Sequence, residues 1–401
     1  MRSVWWNHLT DSDRAELAAG GQTPLLETPS VLVVGGGLVG LCAAYYAAEQ
    51  GASVQVTEAG DLASDASGAS FGGVWPNELG TALTIDAESP AAALFQELAF
   101  QSRDLWGRLS VRPGFDFDWQ VNGFLHVHPD RFRPSASEFT DRGMELGYTL
   151  TAVDAEQVQR LEPALAPCPA GGVLFSSEAR LNPVRAAISL ARGIRQKGGR
   201  VTSQAVALGL ETTAEGVASV SVRTPSGTQT IRPKHLIVAT GARLNWLGER
   251  SNLIPLQPFT SEAVATGPVP PLLKTTVGGR YLAMQLKSGE VIVGGTNVPG
   301  LLDAPRPEII ADMVAQARAL IPALATVEFP VAWCAARPST PDGLPILDRL
   351  PGCANAWIAT GHFRAGILLA TGTGKCLADW ILRGQPDLNL APLSLARFQP
   401  S

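Results

Sequence analysis

SVLVVGGGLVGLCAAYYAAEQGASVQVTEAG, residues 30–60, decides the fold of this 401-residue chain. Val31 to Val34 form an unbroken apolar run, the pattern of a strand buried on both faces. Gly35-x-Gly37-x-x-Gly40 then opens a helical stretch of Leu, Ala and Tyr that closes at Gly51, and a second strand, Val54 to Val56, leads to Glu58. Gly35 permits the tight turn, Gly37 lets the backbone approach a pyrophosphate, and Gly40 lets the helix press on the strand. The helix start, around Leu38 and Val39, offers free N–H groups to that anion. Glu58, followed by Ala59, stands 23 positions after Gly35. An acid there accepts hydrogen bonds from ribose hydroxyls and repels a 2′-phosphate, which disfavours NADP. Strand, turn, helix, second strand and acid in this order read as a dinucleotide site rather than a ligand-free glycine turn. The apolar run Val31 to Ala48 carries four glycines, so it reads as strand–turn–helix and not as a membrane span.

Around this unit, the length predicts two to three lobes. Hydrophobic residues are 45% and charged residues 17%, which excludes wholesale disorder. The net charge of -5 and the lack of a basic tract exclude a nucleic-acid partner. Cys42, Cys168, Cys334, Cys353 and Cys376 are odd in number and scattered, which suits a reducing compartment. The first residues lack a signal-peptide pattern, and a cytoplasmic location is expected. His126-x-His128 has no third ligand nearby and reads as a solvated strand face, not a metal site.

Residues 1–29 form an arm in which Thr10 to Asp13 resembles a capping box, opening a helix that stops near Gly20. The arm is free to pack on the body or on a second subunit. A small-residue loop covers Ser64 to Gly73. Helical periodicity spans Ala91 to Leu109, and Gly123 to Val127 is strand-like. Asn182-Pro183 caps a helix running to about Lys197. Strands follow at Val201 to Leu210, Ala218 to Arg223 and Ile231 to Val238, then at Glu262 to Thr266, Tyr281 to Leu286 and Glu290 to Gly294. Trp357 to Ala359 is a short strand, and Gly361 to Gly366 leads into a helix ending near Arg383. The expected fold is α/β. A discontinuous Rossmann-type domain is built from 30–78, 168–250 and 330–398, with an α+β substrate domain with a mostly antiparallel sheet from 79–167 and 251–329.

Several motifs beyond the glycine fingerprint agree. They are Leu161-Glu-Pro163, Leu181-Asn-Pro183, Ala239-Thr-Gly241, Ala336-Arg-Pro338 with Pro341-Asp-Gly343-Leu-Pro345, and Gly361-His-Phe-Arg364. With these the chain resembles the FAD-dependent D-amino-acid oxidase superfamily, especially glycine oxidase and the D-amino-acid dehydrogenase group. The resemblance runs from Val31 to about Phe398 and leaves out only the arm.

It implies non-covalent FAD. The loop bearing Ser67, Gly68, Phe71, Gly72 and Val74 would wrap the flavin and ribityl region. Val206 or Ala207 would contact adenine, with Ala239 and Gly241 beside the cofactor. The turn His362, Phe363, Arg364, Ala365, Gly366, Ile367 and Leu368 would present a positive helix end to the flavin C2 carbonyl. Arg337 would clamp a substrate carboxylate, with Tyr281 assisting and Arg364 as a second arginine. The implied partners are a small carboxylated amine, O2 or another electron acceptor, and other subunits in a homo- or hetero-oligomer.

Blander readings stand beside these. Arg337 could neutralise Asp342, Tyr281 could be core, His362 could pack rather than act as a base, and Asp342-Gly343 reads as a turn. Cys334, which invites covalent flavin attachment, stands one residue too early, and a one-residue slip on a strand turns a side chain to the other face. Gly279, Asn297 and Trp75 depart from glycine oxidase, which would have a histidine and a methionine at the first two.

Three functions are open: an oxidase of a small α-amino acid or N-substituted glycine; a dehydrogenase passing electrons to a quinone or partner subunit, as in opine or cyanide-forming complexes; and a flavin-binding assembly subunit without turnover.

Overall fold

The computed structural model describes residues 2–77, 89–127, 149–168 and 170–398. His128, half of the paired histidines, lies outside these. At the centre is a six-stranded sheet ordered Ile346–Arg349, Ala356–Thr360, His235–Val238, Val31–Val34, Val54–Thr57 and Arg200–Thr202. All neighbours are parallel except the Ile346–Arg349 edge. Val31–Val34 is buried throughout, as its unbroken apolar run demands.

Two glycines fix the first turn. Gly35 has φ +120°, and a Cβ there would sit 2.3 Å from the Ala239 carbonyl oxygen. A Cβ on Gly40 would sit 2.1 Å from the carbonyl oxygen of Gly35. The Leu38–Glu49 helix can therefore seat on the strand only without side chains at these positions. It packs in turn on the C-terminal helix, Gly366–Arg383, where a Cβ on Gly374 would meet Cys42 at 2.6 Å. Asn182 caps Pro183–Gln196 as expected, its side chain accepting from the Val184 and Arg185 N–H groups.

A second sheet orders Val298–Pro299, Gln257–Ala265, Val291–Gly294, Leu282–Gln285, Thr276–Gly278, Phe124–His126, Gly172–Phe175 and Thr151–Val153, with Val331–Ser339 on the other side of Gln257–Ala265. It is antiparallel except between Thr276–Gly278 and Phe124–His126. Gly172–Phe175 and Val331–Ser339 thus belong to this sheet, so the chain changes layer later than at the expected boundaries of 168 and 330. The physical reason is pairing. Phe175 faces Phe124, and Arg337 faces Phe259 in the ladder.

Two long strands read from the sequence are broken. Val201 to Leu210 splits at Gln204, which adopts φ +54°. Ile231 to Val238 splits around Pro233, which has no N–H to give a ladder. The arm packs on the chain's own body. Val4, Trp5 and Trp6 are buried, and the Asp11–Gly20 helix has the full capping box between Thr10 and Asp13. Asp13 and Glu16 face Arg185, Arg192 and Arg195 of the Pro183–Gln196 helix. Among the described residues no helix is long and apolar enough to cross a membrane.

Candidate active site

A cavity of about 810 Å³ runs from the carboxyl ends of Val31–Val34 and Val54–Thr57 to the start of the Gly366–Arg383 helix. That is large for a ligand pocket and lies where open α/β sheets bind nucleotides. Its nucleotide end is lined by Gly35, Gly37, Leu38, Val39, Glu58, Ala59, Val206 and Ala207, so both adenine candidates reach it. Glu58 accepts from the Gly36 N–H (2.7 Å) and the Gly60 N–H (2.8 Å). Burial pushes its carboxyl above the usual range, against the pull of those two N–H groups. Ser67 accepts from the Leu38 N–H at 3.1 Å and so joins the small-residue loop to the helix start. Thr57 Oγ1, also in the wall, is buried without a partner among the described residues. An orphaned hydroxyl, a helix N-terminus and an acid around one elongated cavity fit a dinucleotide.

Ser67, Phe71, Ala239, Gly241, His362, Phe363, Arg364, Gly366 and Ile367 also line the cavity. Phe363 takes φ +45°, a left-handed conformation unusual for a bulky residue, and its ring lies 5.5 Å from Phe259. Gly366 and Ile367 bring the positive end of the long helix to the wall. His362 is buried with its Nε2 3.1 Å from Thr373 Oγ1, and burial pulls its pKa down to about 4. It is neutral at pH 7, in keeping with a packing role.

Six expected cofactor residues do not line the cavity and act one layer behind it. Gly40 seats the helix, as above. Gly68 makes room for the Ala63 carbonyl, and Gly72, at φ +70°, for that of Leu181. Val74, Ala365 and Leu368 are buried in the core behind the wall. Tyr281 is also outside. Its hydroxyl donates to Asp312 at 2.6 Å, and burial followed by that carboxylate raises its pKa. The neighbouring Leu282, the first residue of the Leu282–Gln285 strand, lines the cavity instead.

Arg337 is the prominent charged group at the other end. It lies in the wall with Ala335, Ala336 and Pro338, while Cys334 is not in the lining. Its Nη1 donates to Asn297 Oδ1 (2.6 Å) and to the Thr296 carbonyl (3.3 Å). Among the described residues no carboxylate pairs with it. Asp342, its proposed counter-ion, is taken by Arg397 at 2.8 Å. Burial, then the nearby Arg364 cation, pulls Arg337 down to about 9, so it remains charged at neutral pH. A guanidinium with no carboxylate partner among the described residues, beside a second cation and opening on a cavity, has the charge to attract an anion.

Sequence reasoning missed Thr57, Ser261, Leu282, Leu301 and Trp246, all of which line the cavity. Strand parity around Arg337 could have found Ser261, and Leu282 adjoins the expected Tyr281; no local pattern marks Trp246 or Leu301. Trp75 was noted only as a departure. It lines the cavity, and its buried indole N–H has no partner among the described residues.

Comparison with known proteins agrees with this geometry. The family described as FAD dependent oxidoreductase (DAO) matches residues 30–380. The chain is 29% identical to hydrogen cyanide synthase subunit HcnC of Pseudomonas aeruginosa, covering 93% of this chain and 97% of that one. It is 28% identical to glycine oxidase of Bacillus licheniformis, over 88% and 93%. Among solved structures, glycine oxidase of Geobacillus kaustophilus superposes with a TM-score of 0.81 at 25% identity, covering 94% of this chain and 100% of that one.

Proposed function

Because the chain belongs to the FAD-dependent oxidoreductase family, we propose that it oxidises the C–N bond of a small α-amino acid or N-substituted glycine to an imine. The observation that carries this reading is Arg337, a cavity-facing guanidinium with no carboxylate partner among the described residues. Its fork matches a substrate carboxylate bidentately, and Asn297 and the Thr296 carbonyl fix its orientation. Arg364 adds a second positive charge to the same wall.

Glu58, the Leu38 helix start and Val206-Ala207 would hold the nucleotide half of FAD, and Ser67, Phe71, Gly366 and Ile367 the half nearer the substrate. Bound FAD supplies the two-electron acceptor that the protein itself lacks. Arg337 positions the donor, and fixing carboxylate and amine together replaces a bimolecular encounter by a held geometry. The Trp75 indole lines the same space. Leu282 adds an apolar surface to the same wall. No side-chain base is required if the amine enters neutral, and His362, turned to Thr373, does not supply one. Water then hydrolyses the imine to a carbonyl compound.

The test is anaerobic bleaching of the purified yellow protein by glycine, sarcosine, D-proline, other D-amino acids and opines. Reduction by at least one carboxylated amine is expected, and failure of all of them overturns the proposal. The likeness to a subunit of hydrogen cyanide synthase supports a second reading, a subunit of a larger complex, in which electrons would pass to an acceptor other than O2. Dye reduction without peroxide formation would favour it; stoichiometric peroxide would favour an oxidase.

A further inference from the structure

The arm outside the family match does something specific to the cofactor wall. Residues 62–70 turn over the cavity in a chain of tight turns, with Gly68, Ala69 and Ser70 N–H groups bonded back to Ala63, Asp65 and Ser67. At the end of such a helical turn the last carbonyls have no N–H ahead of them. Here three consecutive ones are each met by a side chain from elsewhere. Ser3 Oγ donates to the Gly68 carbonyl, Trp333 Nε1 to Ala69 (2.9 Å) and Trp5 Nε1 to Ser70 (2.8 Å). Arg2 closes the row by pairing with Asp61 while lying 4.3 Å over the Trp6 ring. The arm is anchored at its other end too, by His8 Nε2 at 3.1 Å from Glu290 Oε1 on the second sheet.

We propose that residues 2–8 are a cofactor latch. Ser3 and Trp5 from the arm, and Trp333 from the substrate sheet, hold three consecutive carbonyls of the wall loop in the shape that retains FAD. These are positioning residues, since they touch neither the cavity nor the reacting atoms. The physical logic is preorganisation: a loop whose carbonyls are already satisfied needs no further ordering when the dinucleotide enters. This rests on the family's FAD binding and goes beyond it, because nothing in the family match extends to residues 2–8.

The experiment compares wild type with Trp5→Phe, which keeps the apolar ring and removes the donor, and with Ser3→Ala. Each apoprotein is titrated with FAD by flavin fluorescence and melted without flavin. Losing one buried donor should weaken FAD binding about fivefold, and the double variant ten- to thirtyfold, mainly through faster release. The apoprotein melting temperature should fall modestly too, because the latch is already closed without flavin, so the loss of FAD affinity is the deciding readout. Unchanged FAD affinity with a lowered apoprotein melting temperature would overturn the latch and leave the arm as mere packing. A wild type that binds no FAD would instead sink the cofactor reading, so the two failures are distinguishable.

Discussion

Replacing Arg337 by methionine tests the anion site without opening a hole, because the two side chains have similar length. Arg337 donates to one side-chain amide and one carbonyl, neither of them charged. A substrate carboxylate about 4 Å away, at an effective dielectric near 20, is worth roughly 4 kcal/mol. At 1.36 kcal/mol per decade this is about a thousandfold in kcat/KM. Stability should move the other way. The folded-state pKa is depressed to about 9. Below that pH both folded and unfolded chains carry the proton, so the fold bears the whole cost of burying it. Methionine removes this cost, and the apoprotein melting temperature should stay level or rise.

The assays are single-turnover flavin reduction by the best donor of the panel, acetate binding read from the flavin absorbance, and calorimetry of the apoprotein. Loss of flavin reduction and of acetate binding in a protein at least as stable as wild type is expected. A kcat/KM within tenfold of wild type would refute the clamp, and a melting temperature several degrees lower would show Arg337 to be a structural ion after all.

Three other outcomes follow from the geometry. Gly40→Ala places a methyl 2.1 Å from the Gly35 carbonyl, so it should cost more than about 3 kcal/mol, seen as insoluble or flavin-free protein. Tyr281→Phe should change kcat/KM less than threefold while lowering stability by about 1 kcal/mol, because its hydroxyl serves Asp312 and not the cavity; steady-state kinetics and melting check both. Burial raises the Asp342 pKa, but Arg397 and the Leu344 N–H outweigh it and leave it below the usual range. The resulting stability is present above about pH 3.9 and disappears as pH falls through the lower folded value. Arg397→Met should therefore flatten the melting-temperature curve on its acid side, and an unchanged acid limb would discount the pair.

How much of this was readable beforehand depended on distance along the chain. The nucleotide end was legible because Gly35, Gly37, Gly40 and Glu58 lie within one strand–helix–strand unit, where steric need and local order coincide. The Thr10–Asp13 capping box and the Asn182 cap were legible for the same reason. Gly68, Gly72 and Val74 were placed in the right loop but at the wrong depth, since spacing shows a turn and not which side of it meets the ligand. Tyr281 lies just before the Leu282–Gln285 strand and outside the lining, a placement set by that strand's pairing with distant partners. The carbonyl row from Gly68 to Ser70 was invisible, because its donors come from residues 3, 5 and 333.

The strand order of the central sheet bears on how the protein is made. Val31–Val34 leaves the ribosome early, yet its neighbour His235–Val238 is some two hundred residues behind, and Ala356–Thr360 follows later still. Until then its edge is unpaired, a state prone to wrong pairing and to chaperone capture. The Gly366–Arg383 helix, whose start lines the cavity, is made after all of these strands, so the coenzyme's wall is complete only once segments more than three hundred residues apart have met.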